Sequence, residues 1–395
     1  MAWNEIIGLE KEKKLLQKAL LEERLAGAYC FLGIEGIGKD AVALELAKTA
    51  NCYEPIISKN NEIINKENFA KTHYTIKELN EITITACDKC KSCKMANSFV
   101  HPNIQYVFAL PADTQMTDEH FAAIKEQFAM KITDKYHQIS IPNAKQIHIS
   151  LIRTIKKNIS LSSSKKGRRF IIISNGDLMN TEAANAFLKT LEEPQLNTTI
   201  IITSSKKEKL LQTILSRCQQ IFFEPLSNAE IAKYLIENEQ KDEVQSKLIA
   251  AFAQGSITRA LEYFDDDMHT MRSEVVDILR IALKRKTYRI ELLNAIEKLL
   301  EKKDKKIYVI FLNLLLVWIR DVYTISRMQN TDLVINADLS ERMLKFYNGF
   351  PNADLQKALL IIESSINRIE YNIDPKLTLI SLFVELRNIF LKTEY

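Results

Sequence analysis

Apolar residues in the first 225 positions come in short runs, at 28–32, 104–110, 170–174, 199–203 and 220–223. Each run is bounded by turn or charged residues, and helix-period stretches lie between them. Such runs read as strands buried on both faces. Their alternation with helices predicts a parallel sheet covered on both sides. Beyond 225 the pattern changes. No proline occurs between Pro225 and Pro351, and the only glycines there are Gly255 and Gly349. With few breakers and long apolar periodicity, this half is predicted to be helical. Ser227-Asn228-Ala229-Glu230 is a capping box opening one such helix, with Ile231, Tyr234 and Leu235 on one face. Two polar stretches, about 54–85 and 111–145, read as surface insertions. Residues 54–68, rich in Asn, Lys and Glu, have the composition of a loop or disordered segment.

At 395 residues the chain is expected to hold two or three domains. A hydrophobic share of 46% against 26% charged places it among ordinary globular proteins, and a net charge of +4 neither implies nor excludes a nucleic-acid partner. No apolar segment near the N-terminus resembles a signal peptide. The longest apolar stretch, 309–319, contains Asn313. It falls short of the roughly 20 residues a bilayer requires, so it reads as a core helix. A cytoplasmic protein with no membrane partner is expected.

Six cysteines make no disulfide scaffold, and in a reducing compartment clustered thiols point to metal or redox chemistry. Cys87-Asp88-Lys89-Cys90-Lys91-Ser92-Cys93 spaces three thiols two residues apart, so that a tight turn can present them to one metal. Soft thiolates suit a structural, four-coordinate Zn²⁺. The fourth ligand is assigned to Cys52, with His101 and His73 as alternatives. Free thiols or a redox pair are the bland reading. Cys30, inside a strand run, reads as core.

Three of the nine glycines, Gly33, Gly36 and Gly38, fall within one short turn. Gly33-Ile34-Glu35-Gly36-Ile37-Gly38-Lys39-Asp40 follows the first strand run and precedes helical residues 41–50. This is the G-x-x-x-x-G-K loop in its strand–loop–helix setting, where backbone N–H groups hold phosphate and the lysine neutralises it. The last position should carry a hydroxyl for Mg²⁺, and Asp40 stands there. An ATPase also needs acids after a second strand. After the run at 170–173 the positions are Ser174 and Asn175, and Asp177 comes too late, where it is expected to cap the next turn. Two defects in one site argue against hydrolysis. Ala183, Ala184, Phe187, Leu188 and Leu191 recur at helical spacing and read as core, leaving Asn185, Lys189 and Glu192 facing outward. The run Lys165-Lys166-Gly167-Arg168-Arg169 could meet phosphates but reads first as a solvated turn.

Asn185-Ala186-Phe187-Leu188-Lys189-Thr190-Leu191-Glu192-Glu193-Pro194, Ser216-Arg217-Cys218, the phosphate loop and the cysteine run with His101-Pro102-Asn103 together resemble the delta-prime subunits of the bacterial DNA polymerase III clamp loader. Supporting stretches run through most of residues 1–265, and Gly255-Ser256-Ile257-Thr258-Arg259-Ala260-Leu261 resembles the lid segment that carries a second sensor arginine. Two features depart from the family: the long spacing from Cys52 to Cys87 and the extra segment at 111–145. The resemblance implies an α/β AAA+ core with a zinc module over 1–224 (module about 52–93, insertion about 111–145), a helical lid over 225–268 and a helical collar over 269–395. It implies a ring with gamma/tau and delta subunits that loads a sliding clamp on primed DNA. Arg217 matches the arginine finger that reaches ATP-Mg in a neighbour. Gly33, Gly36, Gly38, Lys39, Asp40 and Arg259 would form a degenerate nucleotide site, with ATP binding there left open. The rival readings are an ATP-hydrolysing gamma/tau-type subunit, and a zinc-dependent nucleic-acid-binding module.

Overall fold

The computed structural model describes residues 3–60, 62–65, 69, 74, 76–79, 81–111, 116–160, 167–240, 242–262, 268–301, 304–328 and 334–391. They form two compact units, Met1–Glu230 with Gly255–Thr258, and Ile231–Gln254 with Arg259–Tyr395.

The first unit is built on a five-stranded sheet. Its strands are β1 (Ala28–Leu32), β5 (Ile104–Val107), β6 (Arg169–Ile173), β7 (Thr198–Ser204) and β8 (Gln219–Phe222), in the order β5-β6-β7-β1-β8. Every neighbouring pair is parallel, with Cys30 opposite Ile202 on one side and Gln220 on the other. The central strands are buried along nearly their whole length because helices cover both faces. Cys30, Leu32, Ile171, Ile173, Ile200 and Ile202 point to one face. There they meet Ile152 and Ile155 of the helix Ile149–Ser160 and Phe187 and Leu191 of the helix Thr181–Glu192. Against the other face lies the helix Lys39–Ala50, buried at nearly every position. The all-parallel sheet, with helices on both faces and a glycine-rich loop leaving β1, is the α/β core that the alternating runs predicted.

The described residues of 54–85 depart from the loop expectation held for 54–68. They contain β2 (Ile56–Lys59), β3 (Glu62–Ile64) and β4 (Ile82–Thr85), an antiparallel sheet in the order β3-β2-β4. Ile57 pairs with Ile64 and Ile84, and Ile57 and Ile82 are buried. The β-branched isoleucines and threonines, diluted by charged neighbours, hid a strand signal inside a polar composition.

The second unit is helical in its described residues. Its long helix, Lys305–Met328, packs against Leu355–Glu370, and ring contacts tie Phe311 to Phe383 and Trp318 to Phe346. Lys305–Arg327 has the length and apolarity of a membrane span, yet most of it is buried inside the unit, as befits a core helix. Asp321 and Asn336 interlock within this core, and Asn336 also accepts from Arg272 at 2.8 Å.

Candidate functional site

Gly36 (φ +77°) and Gly38 (φ +99°) lie in the left-handed region that a side chain resists. At Gly36 a Cβ would also collide with Ser256 Oγ. Gly38 caps the helix Lys39–Ala50, so its first N–H groups face into the loop. The carbonyl of Gly36 accepts from the backbone N–H of Ile257 (3.0 Å) and of Thr258 (3.2 Å), tying the loop to Gly255–Thr258. Arg259 lies in the second unit, is exposed, and donates to Gln254 at 3.1 Å.

Lys39 is turned back on its own loop, donating to the carbonyls of Gly33 (2.7 Å) and Ile34 (2.6 Å). Burial pulls its pKa down to about 8, against the raising influence of Asp40, Glu35 and Asp177. Asp40 is enclosed by hydroxyls. Its Oδ2 accepts from Ser174 (2.6 Å) and Tyr106 (2.7 Å), and its Oδ1 from Thr203 (2.7 Å). Burial alone would raise its pKa, but the Lys131 charge and the three hydroxyls outweigh it and hold the group below the ordinary carboxylate range. Asn175 lies beside the site, and its backbone N–H donates to Thr203. Asp177 accepts from Ser204 at 2.7 Å instead of capping the next helix; Asn180 does that, accepting from the Ala183 N–H. The expectation for Asp177 failed because a strand neighbour invisible to local spacing took the carboxylate.

Cys52 follows the helix Lys39–Ala50. Cys87, Cys90 and Cys93 lie on the turn and short helix after β4, the latter spanning Lys91–Asn97. The four Sγ atoms all fall within 4.8 Å of one another, with Cys87 and Cys93 at 4.0 Å. A tetrahedron with Zn–S bonds of about 2.3 Å has edges of about 3.8 Å, so the cluster fits such an ion. Backbone N–H groups point at the sulfurs, from Cys87 to Cys52, Cys90 to Cys87 and Cys93 to Cys90. At Cys90, burial raises the pKa, but the N–H groups of Cys93 and Tyr53 outweigh it and bring the thiol down to about 6. Both ring nitrogens of His101 are engaged elsewhere, with Ser92 Oγ (2.9 Å) and the Asn103 N–H (3.1 Å). His73 lies outside the described residues.

An ion-pair chain that sequence reasoning missed ties the helix Lys39–Ala50 to the cysteine turn. Lys48 contacts Glu45 at 2.9 Å and Asp88, inside the cysteine turn, at 2.5 Å. Glu45 is fully buried, and burial lifts it to about 7 despite the lysine. Its i,i+3 spacing to Lys48 was the only signal in the sequence. Removing one partner of a buried pair strands the other, so Lys48→Met is expected to cost about 3–5 kcal/mol. Urea unfolding followed through Trp3, whose indole N–H donates to Thr49, in a Trp318→Phe background measures it. A loss below about 1 kcal/mol would mean the pair is not a keystone.

Arg217 lies beyond the short helix Gln212–Leu215 and is half-buried, its side chain 30% exposed. Its Nε donates to Glu192 Oε1 at 2.7 Å, Nη2 binds the same oxygen, and Nη1 donates to the Thr213 carbonyl at 2.9 Å. Asn185, Lys189 and Glu192 are exposed on their helix, as the spacing predicted. Arg168 spends its guanidinium on Thr199 and the Leu25 carbonyl, which removes it from the basic run; Lys165 and Lys166 lie outside the described residues.

Residues 56–227 match the family model described as DNA polymerase III, delta subunit. The chain is 24% identical over 376 residues to the DNA polymerase III subunit delta' of Bacillus subtilis, covering 95% of each chain. It is 25% identical over 268 residues to the subunit tau of the same organism, covering 67% of this chain and 37% of that one. Among solved structures, a gamma-subunit-related DNA polymerase III protein of Thermotoga maritima aligns over 95% of this chain and 99% of its own, at 16% identity and a TM-score of 0.43.

Proposed function

We propose, from the premise that this chain is a DNA polymerase III subunit of the clamp-loader type, that it hydrolyses no ATP itself and completes the ATP site of a neighbouring subunit through Arg217. The observation that carries the first half is the hydrogen bond from Ser174 to Asp40. These are the positions where an active loop keeps a hydroxyl and an acid to hold Mg²⁺. Here they are reversed and bonded to each other. Neither Ser174 nor Asn175 can serve as the base that activates water, and Lys39 is spent on its own loop.

The second half rests on the chemistry of Arg217. A guanidinium carries a permanent charge and a fork of donors, suited to the oxygens of a transferring phosphoryl group. Glu192 and Thr213 hold it outside the sheet, at a surface a partner can reach. The four cysteines would hold a structural Zn²⁺, with all four positions filled by protein and none left for a reacting water. In this reading the residues beyond 268 act as the oligomerising collar and 225–268 as the lid. Gamma/tau- and delta-type subunits are the neighbours, and the assembled ring acts on a sliding clamp and primed DNA in the cytoplasm.

The test is phosphate release from ATP-Mg by the purified chain alone. No turnover above the uncatalysed background is expected. Steady hydrolysis abolished by Lys39→Ala would make this an ATP-hydrolysing gamma/tau-type subunit instead.

A further inference from the structure

Within the segment at 111–145, which matches nothing the function requires, residues 116–145 have a definite place. Its helix Asp118–Thr133 and the turn after it lie over the phosphate loop. Phe128 anchors the helix between Phe99 (5.2 Å) and Phe108 (5.6 Å). Lys131 is 1% exposed, donates to the His137 carbonyl at 2.6 Å, and stands 5.6 Å from the centre of the Tyr106 ring. Tyr136 follows, and its ring edge lies so close to Gly38 that a Cβ there would come within 3.1 Å. The Tyr136 hydroxyl accepts from the Ile7 N–H at 2.8 Å, and its carbonyl from Thr258 Oγ1 at 3.3 Å. The space left between Gly36, Gly38, Lys39, Lys131 and Tyr136 is a cavity of about 20 Å³. That holds about one water and no polyphosphate.

We propose that residues 116–147 are a tethered occupant of the phosphate loop, in which the Lys131 ammonium is the fixed cation balancing Asp40 and Tyr136 fills the nucleotide's place. The exchange of hydroxyl and acid between positions 40 and 174 then has a reason. A buried carboxylate needs a compensating charge. Lys131, buried at the same pocket, supplies it, while Ser174, Thr203 and Tyr106 spend their hydroxyls on the same group. The loop becomes a closed joint linking the sheet, the N-terminal turn at Ile7 and Gly255–Thr258, and its geometry no longer depends on nucleotide. This rests on the reading of a non-hydrolysing subunit and extends it to the segment that silences the site.

The full chain with Lys131→Met, Asp40→Asn and both together tests the charge pairing. Each single change strands a buried polar partner and is expected to raise the unfolding equilibrium constant on the order of 10²-fold. The double variant should recover at least tenfold relative to the product of the singles, since buried groups that line one pocket and share Tyr106 as a neighbour couple. Additive effects would overturn the pairing. Adding Tyr136→Ala to the double variant should open the loop, and binding of a fluorescent N-methylanthraniloyl-ATP should rise at least tenfold over the natural chain. Equal binding by the natural chain and the opened variant would overturn the occupant while leaving the non-hydrolysing reading in place. Steady hydrolysis by the natural chain would overturn both.

Discussion

In a complex reconstituted with Arg217→Ala, single-turnover hydrolysis at the neighbouring ATP site that this subunit is proposed to complete is expected to fall on the order of 10³-fold, the low end of what arginine fingers supply. The geometry makes the loss specific. Arg217 is attached beyond a short helix whose end is fixed by the bond from its own N–H to the Ile214 carbonyl (3.1 Å). Its guanidinium is oriented by one carboxylate oxygen of Glu192 and by the Thr213 carbonyl. With a longer contact from Nη1 to Ser216 Oγ (3.5 Å), these bonds leave a further N–H on Nη2 for a phosphate oxygen. The ion pair to Glu192 costs little to give up, because exposed pairs of this kind are worth about 0–1 kcal/mol. A phosphoryl group gathering negative charge in a dry interface outcompetes it easily. Arg217→Lys keeps the charge but loses the fork, and should recover only a minor part of the rate. Neither change touches a buried group, so assembly, read by gel filtration, should be intact. An unchanged rate at full occupancy would sink the finger assignment.

Metal removal is expected to have the second large effect. The natural chain should carry one Zn²⁺, and Cys90→Ser should carry almost none. Structural zinc contributes about 10–16 kcal/mol in finger peptides. Here part of that holds a turn that is also tied down by the Lys48–Asp88 pair and by Ser92 Oγ, bonded to the Asn51 carbonyl (2.6 Å) and to His101 (2.9 Å). Hydrogen exchange after chelation should therefore speed up at residues 82–97 while β6 and β7 stay protected, since the five-stranded sheet has its own core. Cobalt substitution should give the thiolate-to-metal absorption of a tetrahedral four-sulfur site. A natural chain that takes up neither zinc nor cobalt, or a Cys90→Ser variant with full zinc content, would refute the metal site.

The sequence by itself determined the features whose information is local. The three central strands of the main sheet, β1, β6 and β7, were legible because both faces of each are covered, so burial left no alternation to misread. The capping box at Ser227 formed as spaced, with the Ser227 N–H donating to Glu230 (2.8 Å) and the Glu230 N–H to Ser227 Oγ (3.2 Å), because its partners sit three residues apart. The phosphate loop and the turn of Cys87, Cys90 and Cys93 were legible for the same reason. Tertiary structure alone decided which distant groups met them. Cys52, and not His101, joins the cysteine turn, because β2 and β4 run antiparallel and return the chain to the end of the helix Lys39–Ala50. Asp40 could be read as a defect, but its partners Tyr106, Lys131, Ser174 and Thr203 come from separate elements brought together by the register of β5, β6 and β7. A periodicity is written within a few residues and survives any fold that buries it. The partner of a buried charge is set by which strand lies beside which, and only the folded chain contains that.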